Sequence, residues 1–222
     1  MSEKYPRTPH LPWSHGRTDD DKTLDSAEHL VGVELVITEK VDGSNLCLTT
    51  DAIFARSHRA TPTHKSFDLA KSIYGEVKHL ITPGISVFGE YCHAVHSIEY
   101  SALPGFFLIF GVREDSTGQW RAWDEVRREA QRLNLPTVGE LWRGRVKTEQ
   151  QLQELSLTLA EQPSLFGGKR EGLVVRLAER FSDFSQSTAK WVREDHVQVG
   201  AEHWMNRVIR HNGLRHTAAD EK

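Results

Sequence analysis

The stretch that most constrains how this chain can fold is Glu39-Lys40-Val41-Asp42-Gly43-Ser44-Asn45. It sets a lysine and a carboxylate two residues apart, ahead of a glycine. One apolar run (Val33, Leu35, Val36, Ile37) stops there and another (Leu46, Cys47, Leu48) starts. The pattern reads as a strand, a tight turn and a strand, with Lys40 at the mouth of the turn. Glycine lets a backbone approach a phosphate or take a positive φ. A lysine held there can serve as a phosphate-binding point charge or, with a depressed pKa, as a nucleophile. Taken alone, the tetrapeptide from Lys40 to Gly43 is better read as a solvated hairpin turn, so the rest of the chain decides.

Downstream, a second turn near Asp51 leads to a short strand from Ile53 to Arg56, with the alternation of a half-buried antiparallel sheet. Apolar residues recur at spacings of three and four from Phe67 to Leu80, predicting an amphipathic helix over 66–80 that Pro83-Gly84 ends. Residues 85–92 predict a strand with Phe88, Glu90 and Cys92 on one face. A glutamate beside Phe and Cys is unusual unless that face lines a site. Phe106 to Val112 reads as an apolar strand, and the turn Asp115 to Gly118 leads into Gln119 to Trp123. Helices are expected over 124–134 and about 148–161, strands over 171–177 and 187–193, and a terminal helix over about 201–210. Residues 1–30 are polar and proline-punctuated, as in a segment that lies over a domain as loop and short helix. No repeat or Gly/Ser-rich linker divides the chain, so 1–222 reads as one domain with 196–222 as a short helical tail.

Composition bounds the function. A formal net charge of −3 over 222 residues carries no whole-molecule basic signature, so a polynucleotide would have to meet a local patch. The two cysteines, Cys47 and Cys92, fall in apolar runs and read as buried free thiols of a reducing compartment. No signal-peptide core and no run of 18 apolar residues is present, which points to a cytoplasmic protein. His93 and His96 lie three apart with no third ligand cluster, too little for a zinc site.

Taken together, the chain supplies Lys40 on a turn, Arg56 one strand later, Glu90 on a strand, the aromatic run Phe106 to Phe110, Glu171 opening a strand, and a late Lys190. This order resembles the covalent nucleotidyltransferases, the DNA and RNA ligases and mRNA capping enzymes. Five segments match in order: Lys40-Val41-Asp42-Gly43, Ala55-Arg56-Ser57, Phe88-Gly89-Glu90, Glu171 through Arg176, and Ala189-Lys190. The resemblance covers residues 33–195, and Asn45 replaces an arginine usual in DNA ligases and capping enzymes, which looks like the RNA ligase branch.

The resemblance implies an α+β domain of antiparallel sheets flanked by helices, with ATP in a cleft between them. It implies an ATP-dependent RNA ligase that joins RNA 5′-phosphate and 3′-hydroxyl ends through a lysyl-AMP and an adenylylated 5′ end. Lys40 would be the nucleophile, with Lys190 on the α-phosphate. Glu39 would lie beside adenine, Arg56 and Glu90 would hold the ribose or the reacting end, Phe110 would stack on the base, and Asn45 would be among the nucleotide-binding residues. Glu171 would organise Mg2+ (or Mn2+) through water. The family often has a second late lysine where Val192 stands here, and strand alternation puts Arg193 on the opposite face unless the backbone bulges. The 32 residues after Lys190 are expected to leave no room for an accessory oligonucleotide-binding domain, so grip on RNA would fall to the core domain, to Arg193, Arg207, Arg210 and Arg215, or to an accessory protein. The rival readings are an ATP-dependent DNA nick ligase and a non-sealing nucleotide- or RNA-binding module.

Overall fold

The computed structural model describes residues 2–16, 21–194 and 209–215. Its elements in chain order are β1 (Leu35–Lys40), β2 (Ser44–Leu48), β3 (Ile53–Ala55), α1 (Asp68–Val77), β4 (Ile85–Tyr91), β5 (Phe107–Glu114), α2 (Trp123–Arg132), β6 (Glu140–Gly144), α3 (Glu149–Glu161), β7 (Gly172–Leu177) and β8 (Thr188–Val192). The strands form two four-stranded antiparallel sheets, one in the order β6-β1-β7-β8 and the other β3-β2-β4-β5.

This arrangement corrects the hairpin expected around Lys40. β1 pairs with β6 and β7, whereas β2 pairs with β3 and β4. Val41 to Gly43 therefore carries the chain from one sheet to the other. Gly43 does not adopt a positive φ. It is needed for close approach: a Cβ there would sit 2.6 Å from the carbonyl oxygen of Tyr91.

Strand alternation assigns the faces. In the first sheet Leu35, Ile37, Leu173, Val175, Ala189 and Trp191 point to a core shared with α3. In the second, Leu46, Leu48, Val87 and Tyr91 point to a core shared with α1 and α2. Their opposite faces look toward each other. Thr148 caps α3 by accepting from Gln151 N at 3.1 Å, and Glu125 closes the start of α2 by accepting from Ala122 N at 3.0 Å.

Several boundaries differ from expectation. The helix expected over 66–80 opens with a 3-10 turn, Lys65–Phe67, and its α part ends at Val77. β4 ends at Tyr91, so Cys92 leaves the face of Phe88 and Glu90 and joins the main core. Residues near Trp120 form only single bridges, to Arg113 and Phe181. The edge strand β6 escaped sequence reading because its residues alternate only between half-buried and exposed. The terminal helix expected over 201–210 lies outside the described residues except for Ile209 and Arg210, which are not helical. Both cysteines are buried and free. Among the described residues no helix is long and apolar enough to cross a membrane.

The N-terminal segment packs as an extra edge on β8. Lys190 N donates to Pro9 O (2.8 Å), Leu11 N to Lys190 O (2.8 Å) and Gly16 N to Val192 O (2.9 Å). His10 also pairs with Thr23 on its other side, which brings Asp21 back toward β8.

Candidate active site

A cavity of about 690 Å³ lies between the facing sheets. From the first sheet, Thr38 and Lys40 of β1, Val174 and Arg176 of β7, and Thr188 and Lys190 of β8 line it. The register explains why they share a face: Thr38 pairs with Val174, which pairs with Lys190, two residues along from Lys40. The second sheet contributes Asn45 and Glu90, a directly opposed cross-strand pair, and Arg56 from the end of β3. Five of the site residues expected from sequence thus converge from four strands and one strand end.

The electrostatics centre on Lys40, whose ammonium is ion-paired with Glu171. Burial works to discharge Lys40, but the carboxylates of Glu171, Glu90 and Asp42 outweigh it and hold its pKa above the ordinary lysine value. Glu171 itself is only 2% exposed and sits behind Lys40. Burial pushes the Glu90 carboxyl up to about 8, against the pull of Lys40 and with help from Glu171 and Asp42. Burial also lowers Lys190, reinforced by Lys40 and opposed by Asp21, whose Oδ1 lies 3.3 Å from the Lys190 Nζ. His10, buried beneath them, bonds Ser14 through Nδ1 (2.8 Å) and turns Nε2 toward Asp21 at 3.5 Å; burial lowers its pKa to about 4, so it is neutral near pH 7.

The other end of the cavity is aromatic, with Tyr5, Phe110, Trp120, Phe181 and Phe184 on its walls. Phe110 reaches it because β5 bulges: Ile109 pairs with Gly89 and Gly111 with Phe88, leaving Phe110 as the extra residue. The Phe110 ring meets Tyr5 edge-on at 4.9 Å between centroids. The bulge is held from below by Arg176, which donates to Phe110 O and Arg121 O, each at 2.9 Å. The guanidinium also lies 5.4 Å from the ring centroids of both Trp123 and Phe181. Burial lowers its pKa to about 10, which leaves it cationic near neutrality.

Four sequence-predicted residues fall elsewhere or outside the description. The backbone of Glu39 borders the cavity, but alternation turns its carboxylate to the back of the sheet. There it accepts from Ser164 Oγ and Leu165 N (2.9 Å) and lies 3.6 Å from Arg170 Nε in a fully buried pair. Arg193 lies past the end of β8 and donates to Arg170 O and Ala160 O, each at 3.2 Å, on the side away from the cavity. Arg210 is exposed and pairs with Glu99 at 2.8 Å. Arg207 lies outside the described residues.

Sequence reading missed Tyr5, Asp21 and Arg176 as cavity residues. It also missed the role of Asp42, whose Oδ2 accepts from Ser97 N (2.8 Å), Ser97 Oγ (2.6 Å) and Ile98 N (3.0 Å) and so anchors the loop after β4. Asp42 and Arg176 stood in motifs singled out from the sequence and Asp21 in the acidic cluster at 19–21, but none of these signals gave the role; Tyr5 had none. Among the described residues no cluster of three or more His, Cys, Asp or Glu could alone hold a metal ion.

Two facing antiparallel sheets flanked by helices, with the cleft between them, make this the nucleotidyltransferase fold of the RNA ligases. The profile of the family described as RNA ligase matches residues 33–192, and the chain belongs to that family. Among solved structures it is similar to the Naegleria gruberi RNA ligase. One, a variant with ATP and Mn, is 17% identical with a TM-score of 0.56 over 88% of this chain and 62% of that one. A second, with PPi, is 18% identical with a TM-score of 0.55 over 88% and 62%. A third, a variant with AMP and Mn, is 17% identical with a TM-score of 0.56 over 88% and 63%. This chain thus spans under two thirds of the length of those relatives. No curated protein matches it in sequence.

Proposed function

We propose that the chain is an ATP-dependent RNA ligase that joins RNA 5′-phosphate and 3′-hydroxyl ends. The observation that carries this reading is the convergence of Lys40 and Lys190 on one sheet face, opposite Glu90, Asn45 and Arg56 on the other, within one cavity. The base would occupy the aromatic end against Phe110, with Val174 beneath it, and the triphosphate would extend toward Lys40 and Lys190.

In the first step the Lys40 amine forms a P–N bond to the α-phosphorus, and the bond to pyrophosphate breaks. The 5′-phosphate oxygen of the RNA then takes the adenylyl group, forming an anhydride and releasing the lysine. Finally the 3′-hydroxyl attacks that 5′-phosphate, AMP leaves, and a phosphodiester remains. The cation of Lys190 meets charge that builds on the α-phosphate, fixed in advance by β8 and the segment paired with it.

Lys40 must lose its proton to attack, and the ion pair with Glu171 favours the protonated form. No three-carboxylate cage is present among the described residues, so Glu171, a hard oxygen donor beside Lys40, would hold Mg2+ or Mn2+ through water, with further waters and phosphate oxygens completing the shell. A divalent ion there would supply counter-charge that favours the free amine of Lys40 and offsets charge on the departing pyrophosphate. Solved RNA ligases of similar fold hold ATP or AMP with Mn, in keeping with this assignment.

The test is transfer of label from α-labelled ATP, with Mg2+ or Mn2+, to the protein. A covalent adduct that pyrophosphate reverses, absent in Lys40→Ala, is expected. Covalent AMP persisting in Lys40→Ala would remove Lys40 as the nucleophile. No adduct in the wild type would favour a non-sealing binding module. Equal sealing of nicks with RNA or DNA 3′-hydroxyl strands would remove the preference for RNA.

A further inference from the structure

The chain carries a formal net charge of −3, so a polyanion would need a local surface where cations outnumber carboxylates. Between Asp51 and Asp68 no Asp or Glu occurs, while Arg56, Arg59 and Lys65 do, along with His58 and His64. This is the longest carboxylate-free stretch that lies wholly within the described residues. It is not a buried one: Arg56, Arg59, His64 and Lys65 are all exposed.

Its two ends are fixed in the wall of the candidate active site. The loop leaves the cavity at Arg56 and Ser57, and returns to it at Phe67. At the outgoing end His58 N bonds Ala55 O at 2.8 Å and the His58 ring stacks on Phe54 at 4.1 Å. At the returning end the Tyr91 hydroxyl donates to Ser66 O at 3.1 Å, and His64 caps the 3-10 turn by accepting from Ser66 N at 3.2 Å. The loop therefore stands at the rim of the cavity with anchored ends.

Its cations are also available. Elsewhere many arginines of this protein are held by carboxylates, as Arg113, Arg121, Arg143 and Arg180 are. Among the described residues, no carboxylate partner is found for Arg56, Arg59 or Lys65. Unpaired, exposed cations spaced three and six residues apart beside an ATP-sized cleft fit a phosphodiester backbone better than any single small anion.

We propose that the loop from Arg56 to Lys65 is the surface that grips the RNA backbone next to the end being joined, through Arg59 and Lys65 outside the cavity. This rests on the RNA ligase reading above. It also supplies a grip that Arg193 and Arg210, turned away or paired, do not. Being electrostatic, the contact would position RNA without reading its sequence.

The experiment is fluorescence anisotropy of a labelled, nicked RNA duplex with the full chain, across about 50–200 mM salt. It compares wild type, Arg59→Ala/Lys65→Ala, and the charge-retaining Arg59→Lys/Lys65→Arg. Label transfer from α-labelled ATP alone is measured in parallel. The alanine pair is expected to weaken binding roughly tenfold and to reduce the slope of log K against log salt by about 1–2, since each phosphate contact contributes about 0.9. The charge-retaining pair should bind like wild type, and label transfer should be unchanged in all three. Unaltered affinity and slope in the alanine pair would overturn the proposal, as would a wild type that binds no RNA. Because binding needs no chemistry, a failure of label transfer in the wild type would count against the ligase reading while leaving the loop measurement legible.

Discussion

Replacing Glu90 by glutamine should flatten the pH dependence of stability. Burial raises the Glu90 carboxyl from 4.5 to about 8, with Lys40 opposing and Glu171 and Asp42 adding to the rise. A carboxyl raised in the folded state stabilises the fold fully below its unfolded value near 4.5, and that contribution is lost as pH climbs through the folded value near 8. The interval, about 3.5 units at about 1.36 kcal/mol each, sets an upper limit near 5 kcal/mol for the loss. The group lines an open cavity, so water screens part of this, and about 2–4 kcal/mol between pH 5 and 9 is the expected wild-type excess over the variant. Glutamine mimics the neutral acid in shape and cannot ionise. Urea unfolding of both proteins at pH 5, 7 and 9, extrapolated to water, isolates the term, because every other titratable group is common to both. Parallel stability curves agreeing within about 0.5 kcal/mol would refute the argument that burial keeps Glu90 protonated near neutrality.

Other substitutions probe the supports of the site. Arg176→Met should cost about 1–3 kcal/mol by orphaning the part-buried carbonyls of Phe110 and Arg121, and should raise KM for ATP in label transfer by loosening the bulge; an unchanged KM would separate the bulge from nucleotide binding. Asp42→Asn should cost about 1–3 kcal/mol in denaturant unfolding, because an amide cannot accept from all three donors of Ser97 and Ile98 as strongly as a carboxylate. Gly172→Ala would put a Cβ 2.1 Å from Trp191 O, forcing β7 and β8 apart beside Glu171; a loss of about 1–3 kcal/mol and slower adduct formation are expected, and a wild-type melting curve would contradict it.

What could be read from the sequence was what strand and helix periodicity encode locally. Leu35 to Ile37, Phe107 to Val112 and Leu173 to Val175 announced strands because each is buried on the core side of a sheet, and α3 announced itself by its apolar spacing. The sheet to which a strand belongs is not a local property. The Lys40–Asn45 stretch therefore looked like a hairpin, although β1 and β2 never pair. Alternation alone could have shown that Glu39 and Lys40, being neighbours on one strand, point to opposite faces. The N-terminal wall was unreadable for a different reason. Its attachment to β8 is through backbone hydrogen bonds to Lys190 and Val192, which leave no side-chain pattern. Arg176 was hidden in a run that reads as plain core, because its partners are carbonyls brought near only by the fold.

The crossover from β1 to β2 also divides the chemistry mechanically. Lys40 and Lys190 ride on one hydrogen-bonded slab, Asn45 and Glu90 on the other, and no strand pairing ties the two together. The separation of Lys40 and Lys190 from Asn45 and Glu90 is then a gap between slabs, and the packing of Tyr5, Phe88, Trp120, Phe181 and Phe184 at one end acts as its spacer. Trimming a ring in that spacer would change how far Lys40 stands from Glu90 without altering either strand.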